Sequence, residues 1–174
     1  MLRRALIVLG ASLALAACHP QAKATNTAQA AQDSKPDPRG QAYLDANAKK
    51  PGVHVLPSGL QYEVVTSGPA TGEHPHLGDE VKVNYEGKLV DGTVFDSSYE
   101  RGQPAAMPLE HLVPAWQEAI PLMRPGDVWI LTVPPKLGYG AEGAGGGQIP
   151  PNAVLIFKVE LIDFLPGPGS RAQG

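Results

Sequence analysis

The stretch that decides the fold is Val83-Asn84-Tyr85-Glu86-Gly87, followed after three intervening residues by Asp91-Gly92-Thr93-Val94-Phe95-Asp96-Ser97-Ser98. Val81, Val83 and Tyr85 alternate with polar residues, which is the period of a strand with one buried face. Asp91-Gly92 is typical of a reversal between two paired strands. The stretch therefore predicts an antiparallel hairpin.

Short apolar runs separated by Gly, Pro or Asp-Gly continue on both sides of this hairpin, and they favour an antiparallel sheet over a helical bundle. We predict strands at Leu60-Gln61-Tyr62-Glu63-Val64-Val65 and at residues 128–133. The inner face of a last strand is predicted to consist of Leu155, Phe157, Val159 and Leu161. Residues 51–165 are enough for one domain.

One segment inside this domain has a helical pattern, from Val113 to Met123. Pro114 suits the first helical turn, where its missing N–H is not needed. Pro121 removes an intrahelical hydrogen bond, so we expect the helix to end or kink near Ile120. The apolar side of this helix is predicted to lie across the sheet.

Further motifs give the chain a resemblance to the FKBP-type peptidyl-prolyl isomerases. They are Val113-Pro114-Ala115-Trp116, Met123-Arg124-Pro125-Gly126-Asp127, Leu137-Gly138-Tyr139-Gly140, Gln148-Ile149-Pro150-Pro151-Asn152-Ala153 and Leu155-Ile156-Phe157-Lys158-Val159-Glu160-Leu161. The resemblance implies an α+β fold in which an antiparallel sheet of about five strands wraps around one short α-helix. It also implies peptidyl-prolyl cis-trans isomerisation of proline-containing polypeptides.

The resemblance also implies which residues form the pocket. Its catalytic positions correspond to Tyr85, Phe95, Asp96, Trp116, Tyr139 and Phe157, and its substrate-binding positions to Met107, Leu112, Val113 and Ile149. Trp116 would be the floor, ring edges of the other aromatics would receive the rotating carbonyl oxygen, and Tyr139 would donate a hydrogen bond. Any one of these aromatic residues alone is better explained as an ordinary core residue, but their joint order favours a pocket.

Two positions depart from the family pattern, because Ala105 and Met107 stand where bulky aromatic side chains usually wall the pocket. We expect a wider pocket and weak binding of rigid macrolide inhibitors, while the flexible Met107 fills part of the gap. The same departure keeps open an alternative function, a proline-peptide-binding chaperone module with weak or no isomerase activity.

The segment Gly138-Tyr139-Gly140-Ala141-Glu142-Gly143 formally matches the dinucleotide fingerprint G-x-G-x-x-G. The glycines and prolines that follow cannot open the helix that this motif needs, so we interpret the segment as a mobile flap over the pocket. The five histidines lack metal-ligand spacing. No cofactor and no metal are expected.

The first 17 residues are typical of an export signal, with Arg3 and Arg4 before an apolar run too short to span a membrane. Leu15-Ala16-Ala17-Cys18 is similar to the bacterial lipobox, so Cys18 is the predicted lipidation site; an ordinary cleavage site is the alternative. Residues 18–50 are predicted to be a flexible tether. Within it, residues 41–50 are compatible with a short helix, with Ala42, Tyr43 and Ala46 on one side, or with a frayed segment.

These features predict a lipid-anchored protein of the bacterial envelope, with His19 favouring the outer membrane. The lead-in Val55-Leu56-Pro57-Ser58-Gly59-Leu60-Gln61-Tyr62 resembles that of the macrophage-infectivity-potentiator branch, but without its long dimerisation helix, so a monomer is expected. The formal charge of −3 becomes −5 when Arg3 and Arg4 leave with the signal, and no Lys/Arg run remains, which argues against nucleic acid as a partner. Residues 166–174 are predicted to be a flexible tail.

Overall fold

The computed structural model describes residues 38–167. The predicted signal, the lipidation site Cys18, the first part of the tether and most of the tail lie outside the described residues. Among the residues described, no helix combines the length and the apolar character needed to cross a membrane.

Seven antiparallel strands form one sheet, which confirms the predicted fold class while adding two short strands to the expected five. The strands are β1 Val53–Val55, β2 Gln61–Thr66, β3 Glu80–Leu89, β4 Val94–Ser97, β5 Ala105–Pro108, β6 Val128–Val133 and β7 Leu155–Leu165. The α-helices are α1 Pro38–Asn47 and α2 Pro114–Ala119. Short 3₁₀ helices cover Leu109–His111, Ile120–Leu122, Pro135–Leu137 and Gly145–Gly147.

The strand order is β1-β2-β6-β7-β3-β4, and β5 pairs with β3 beside β4. The long strands β3 and β7 occupy the middle of the sheet and pair along the whole of β3, from Glu80 to Leu89. Within this register Gly87 lies opposite Phe157 of β7 and opposite Asp96 of β4. The pairing thus brings distant parts of the chain together at one glycine.

The inner face of the sheet, on which α2 packs, carries the apolar residues that the alternation predicted. Val81 and Val83 of β3 are fully buried and Tyr85 is 8% exposed. The four predicted inner residues of β7 are also buried, and Lys158 between them is exposed. Burial of each such aliphatic side chain contributes about 1.5–3 kcal/mol, so this face supplies most of the core.

Helix α2 begins with Pro114 at its first turn and buries Ala115, Trp116 and Ala119 against the inner face. Its α-helical geometry ends at Ala119, and the tighter 3₁₀ turn Ile120–Leu122 follows. The predicted break near Ile120 is confirmed, and the helix is shorter than the stretch to Met123 because Pro121 cannot donate an intrahelical hydrogen bond.

Helix α1 packs on the outer face of the same sheet. Asn47 donates hydrogen bonds from Nδ2 to Gln61 Oε1 at 3.0 Å and to Thr132 Oγ1 at 3.2 Å, and Gln61 Nε2 donates to the Leu44 carbonyl at 3.0 Å. These groups are buried, so each needs its partner. The described residues 38–47 therefore pack as part of the folded region, upstream of the boundary after residue 50 that the sequence suggested.

The buried face of α1 differs from the predicted one. It consists of Gly40, Leu44 and Asn47, whereas Ala42 and Ala46 are exposed. Gly40 permits close approach, because a Cβ there would lie 2.8 Å from Val154 Cγ2. A face with one large apolar residue leaves no apolar stripe in the sequence, which is why its packing was not anticipated.

Candidate active site

Four aromatic rings meet above the inner face of the sheet. Trp116 of α2 is 3% exposed and meets the rings of Tyr85 and Phe157 edge-on, with centroids 5.2 and 5.5 Å away and interplanar angles of 85° in both pairs. Phe95 meets Phe157 at 5.6 Å and 87°. Edge-to-face pairs hold one another in place, because the positive edge of one ring faces the negative face of the next. The cluster forms a rigid apolar floor.

A cavity of about 280 Å³ opens over this floor. Its lining consists of Tyr85, Phe95, Asp96, Met107, Leu112, Val113, Trp116, Tyr139, Ala144, Gly145, Gln148, Ile149 and Phe157. All ten residues that the sequence singled out for the pocket lie in this lining. They come from strands β3, β4, β5 and β7, from α2 and the two residues before it, and from the segment between β6 and β7. Their assembly at one place is a finding of the structure, and their roles are proposed below.

Gly87 makes the ring arrangement possible. A Cβ at this position would lie 2.6 Å from Phe95 Cε2 and Cζ and 2.8 Å from Phe157 Cε1. Real Cβ atoms do not approach other atoms so closely. The absence of a side chain at Gly87 therefore lets both rings approach the β3 backbone closely.

The polar rim of the cavity is a closed network of three side chains. The Tyr85 hydroxyl donates to Asp96 Oδ2 at 2.5 Å, and Arg101 Nη2 donates to the same hydroxyl at 2.9 Å. Arg101 Nη1 also donates to Asp96 Oδ1. The guanidinium of Arg101 lies over the Tyr85 ring, with Cζ 5.3 Å from the centroid. One cation thus fixes both the carboxylate and the ring.

This network sets the charges at the rim. Burial alone would raise the pKa of Asp96, but hydrogen bonds from Tyr85 and Arg101, together with the Arg101 charge, hold that pKa below its ordinary value. Burial and the hydrogen bond to Asp96 raise the pKa of Tyr85. At neutral pH the rim therefore contains an ionised carboxylate, a protonated phenol and a guanidinium that balances the carboxylate.

Tyr139 lies on the loop after β6 and is 39% exposed. Burial of its ring, followed by the negative charge of Asp96, raises the pKa of its hydroxyl, so the group keeps its proton. Within residues 38–167 this hydroxyl makes no hydrogen bond. Tyr139 can therefore donate to a carbonyl oxygen that enters the cavity.

The glycine-rich segment after Tyr139 covers one side of the cavity. Two hydrogen bonds of 3.0 Å join Ala144 and Ile149, one in each direction between their backbone groups, and close a four-residue loop. Gly145, Gly146 and Gly147 in this loop all have positive φ, which side chains disfavour. No long helix opens here, and Ile149 is 5% exposed and lines the cavity. The geometry matches the predicted flap in position and excludes a dinucleotide fold at this motif.

The wall predicted to be incomplete is formed by β5. Met107 lines the cavity, while Ala105 packs against the core two residues earlier without reaching the cavity surface. The two residues pair with Val81 and Val83 of β3. The short side chain at Ala105 leaves Met107 as the only residue of β5 that reaches the cavity.

Four site residues were missed from the sequence: Arg101, Ala144, Gly145 and Gln148. Arg101 lies in none of the motifs, and the other three lie in the loop between Tyr139 and Ile149, of which only those two residues were assigned to the pocket. A signal for Arg101 did exist, since an arginine five residues after a rim aspartate at a tight turn can reach back to it. In the part of the chain that the structure describes, no cluster of three or more His, Cys, Asp or Glu could hold a metal ion.

Two family models match the sequence of this chain. The family model described as FKBP-type peptidyl-prolyl cis-trans isomerase matches residues 71–162. The chain belongs to the FKBP-type peptidyl-prolyl cis-trans isomerase family. The model of the domain amino-terminal to such isomerases matches residues 10–64, so the resemblance to the family extends into the stretch that was predicted to be a flexible tether with a possible short helix.

Individual relatives agree with this assignment. The chain is 56% identical over 124 residues to the peptidyl-prolyl cis-trans isomerase Mip of Coxiella burnetii, covering 71% of this chain and 53% of that protein. It is 48% identical over 124 residues to the outer membrane protein MIP of Legionella longbeachae, covering 71% and 52%. The crystal structure of FkpA from Escherichia coli superimposes with a TM-score of 0.76 at 40% identity, over 84% of this chain and 67% of that one. The chain spans about half the length of the two curated relatives.

Proposed function

We propose that this protein is a peptidyl-prolyl cis-trans isomerase that assists the folding of exported proteins in the bacterial envelope. Rotation about an X–Pro bond faces a barrier of about 18–20 kcal/mol and takes tens to hundreds of seconds unaided. The twisted amide has lost its resonance and carries less charge separation than the planar one. An apolar site therefore favours the twisted state over the planar one.

The observation that carries this proposal is an apolar cavity with a rigid aromatic floor and polar groups confined to its rim. A proline ring would lie on Trp116, between the edges of Tyr85 and Phe157. The edges of the phenylalanine and tyrosine rings would receive the carbonyl oxygen as it rotates. Tyr139 would donate to a substrate carbonyl, and Asp96 would orient Tyr85 and stabilise the dipole of the twisted bond. Neither a nucleophile nor a proton transfer is needed.

A protease-coupled isomerisation assay on a short X–Pro peptide tests the proposal with the purified protein. We expect the cis-to-trans rate to rise in proportion to protein concentration. The pH dependence should be nearly flat between about pH 6 and 8, because no step transfers a proton. A rate equal to the uncatalysed one, at protein concentrations that bind the peptide, would contradict it.

That contradictory outcome corresponds to the second candidate function, a proline-peptide-binding chaperone module. The observation that favours it is that Met107 alone of the β5 residues reaches the cavity, as expected for a wall left incomplete by Ala105. A loosely walled cavity binds a peptide without holding its twisted state any better than its planar one. The same wall leads us to propose weak binding of macrolide inhibitors, because a rigid ring system cannot move to fill the gap.

We also propose that the protein is a lipoprotein. A signal in residues 1–17 would export it, and lipid on Cys18 would anchor it to the membrane. The isomerase domain would follow a tether and would be a monomer. The support is the sequence Leu15-Ala16-Ala17-Cys18 and the absence of any other cysteine. The name of the Legionella longbeachae relative supports the outer membrane as the location. A fatty-acid probe should label cells that produce the natural protein and spare those that produce Cys18→Ala. Equal labelling of both would refute the anchor.

A further inference from the structure

A second cavity borders the loop that carries Tyr139. Its volume is about 460 Å³, larger than the 280 Å³ of the active-site cavity. Its walls come from α1, from the segment after β6 and from the residues just before β7, so we call it the α1 cavity. Gly140 lines it, whereas Tyr139, the preceding residue, lines the active-site cavity. The two cavities share this loop but have no lining residue in common.

Backbone contacts fix the walls of the α1 cavity. The backbone N–H of Asn152 donates to the Gly140 carbonyl at 2.8 Å, and that of Gly140 donates to the Pro135 carbonyl at 2.9 Å. Asn152 has a φ of 57°, a left-handed conformation that a residue with a side chain keeps only where its surroundings hold it. Gly40 brings α1 close against Val154. A cavity with such fixed walls can bind a ligand without first paying for rearrangement.

Most of the lining is apolar. Leu44 and Val154 are 8% and 3% exposed, Pro134 is buried and Pro135 is half-buried. Sites for small molecules have volumes of about 300–1,000 Å³ and combine apolar walls with a few placed polar groups. The α1 cavity has both properties. Its walls therefore favour a ligand with an apolar body.

The charge at the cavity selects the other end of the ligand. Among the residues of this lining that the structure describes, Lys136 is the only charged one. Lys136 is exposed, and within residues 38–167 its ammonium group forms no ion pair and no hydrogen bond. Gln41 and Asn152 add amide groups to the lining, and Gln41 Nε2 donates to Asp45 Oδ1 on α1 at 2.8 Å. An anionic group is therefore the complement of this lining.

We propose that the α1 cavity binds a small apolar carboxylate. Its hydrocarbon part packs against Leu44 and Val154, and its carboxylate pairs with Lys136. The ligand also touches Gly140, beside the residue that lines the active-site cavity. This inference goes beyond the proposed function and does not depend on it, because binding is measured without turnover.

Calorimetric titration of the purified protein with octanoate tests the charge requirement. Lys136→Met should weaken octanoate binding by about three- to tenfold, between the scale of an exposed ion pair and that of a charge-assisted hydrogen bond. Octanamide has the same chain without the charge, so it should bind the natural protein and Lys136→Met equally. Lys158→Met is the matched control: it removes the same charge, but Lys158 is exposed, lies 5.5 Å over the Tyr99 ring and lines neither cavity. The control should bind octanoate as the natural protein does.

Methyl NMR shows where octanoate binds. The methyl signals of Leu44 and Val154 should shift, while those of Met107 and Ile149 in the active-site cavity stay in place. Shifts at Met107 and Ile149 alone would put the probe in the active-site cavity and overturn the inference. It would also be overturned if millimolar octanoate caused no shift, or if Lys136→Met bound octanoate as tightly as the natural protein. A protein that binds octanoate at Leu44 and Val154 but accelerates no X–Pro rotation would refute the proposed function alone.

Discussion

Adding one methyl group at Gly87 should damage the pocket far more than the fold. The substitution Gly87→Ala places a Cβ 2.6 Å from two atoms of the Phe95 ring and 2.8 Å from the Phe157 ring. Ordinary contact distances begin near 3.4 Å, so each ring must shift by several tenths of an ångström to about 1 Å. Both rings line the cavity; Phe157 contacts the Trp116 ring directly, and Phe95 contacts Phe157.

The expected magnitudes separate stability from activity. Overpacking of a core costs about 1–3 kcal/mol. Replacing a strand glycine by alanine returns about 0.5–1 kcal/mol through backbone entropy. The net loss should be about 0–2.5 kcal/mol, which leaves a domain of ordinary stability folded. A displacement of about 1 Å in a positioned site can reduce turnover by up to about 100-fold, so we expect kcat/KM to fall by about 10- to 100-fold.

Urea denaturation gives the stability change, and the isomerisation assay gives kcat/KM for the same samples. Gly78→Ala is the matched control, because a Cβ at Gly78 would meet no atom within 4 Å and its φ lies outside the left-handed region. The control should match the natural protein in both measurements. If Gly87→Ala were as active and as stable as the control, the rings would not be confined by β3 as described.

Three further predictions concern side chains in the pocket and in the β5 wall beside it. Tyr139→Phe should lower kcat/KM by about five- to tenfold, the scale of one hydrogen bond, with an unchanged urea midpoint; an unchanged rate would exclude donation by this hydroxyl. Because the pKa of Asp96 is depressed in the folded state, its ionised form stabilises the fold above about pH 4, and that contribution is lost as the pH falls through the folded-state pKa. The difference in unfolding free energy between the natural protein and Asp96→Asn should therefore be constant near neutrality and shrink in acid, and a difference that grew in acid would reverse the assigned pKa direction. The double substitution Ala105→Phe and Met107→Phe should tighten macrolide binding by about 1–3 kcal/mol in calorimetry while changing peptide turnover much less; equal affinities would show that the natural wall is already complete.

The strands that the sequence predicted are those in which apolar and polar residues alternate clearly. Val81, Val83 and Tyr85 alternate with polar residues over a long central strand, and burial follows that alternation. Strands β1 and β5 are three and four residues long, and Ala105–Pro108 contains no alternation that could indicate a strand. Such short edge segments become strands because a neighbour offers hydrogen bonds, which is information that lies elsewhere in the chain.

Helix α1 shows that buried polar contacts are likewise hard to predict from the sequence. Asn47, Gln61 and Thr132 are distant in sequence and polar, and their burial depends on a geometric match between a helix end and two strands. Pattern analysis places polar residues at the surface, which is correct on average and wrong for this network.

At the site, the aromatic residues could be anticipated because their order resembles a known family, whereas the residues that hold them in place could not. Gly87 was quoted as part of a motif, but its function as the space beneath Phe95 and Phe157 depends on strand register. Arg101 acquires its contacts from a tight turn whose path the sequence does not specify. The residues that hold the aromatic rings in place are therefore the part of the site that only the structure reveals.

Exchange NMR on a peptide with a single X–Pro bond tests the central claim most directly, because it observes the bond rotation itself without a coupling protease. Cis and trans signals of the free peptide interconvert over tens to hundreds of seconds and give no exchange peaks on the timescale of the measurement. A substoichiometric amount of this protein should produce cis–trans exchange peaks that grow with its concentration and are weakened by Tyr139→Phe. Peptide signals that shift on binding, while the cis and trans forms still fail to exchange, would contradict catalysis and establish a binding module instead.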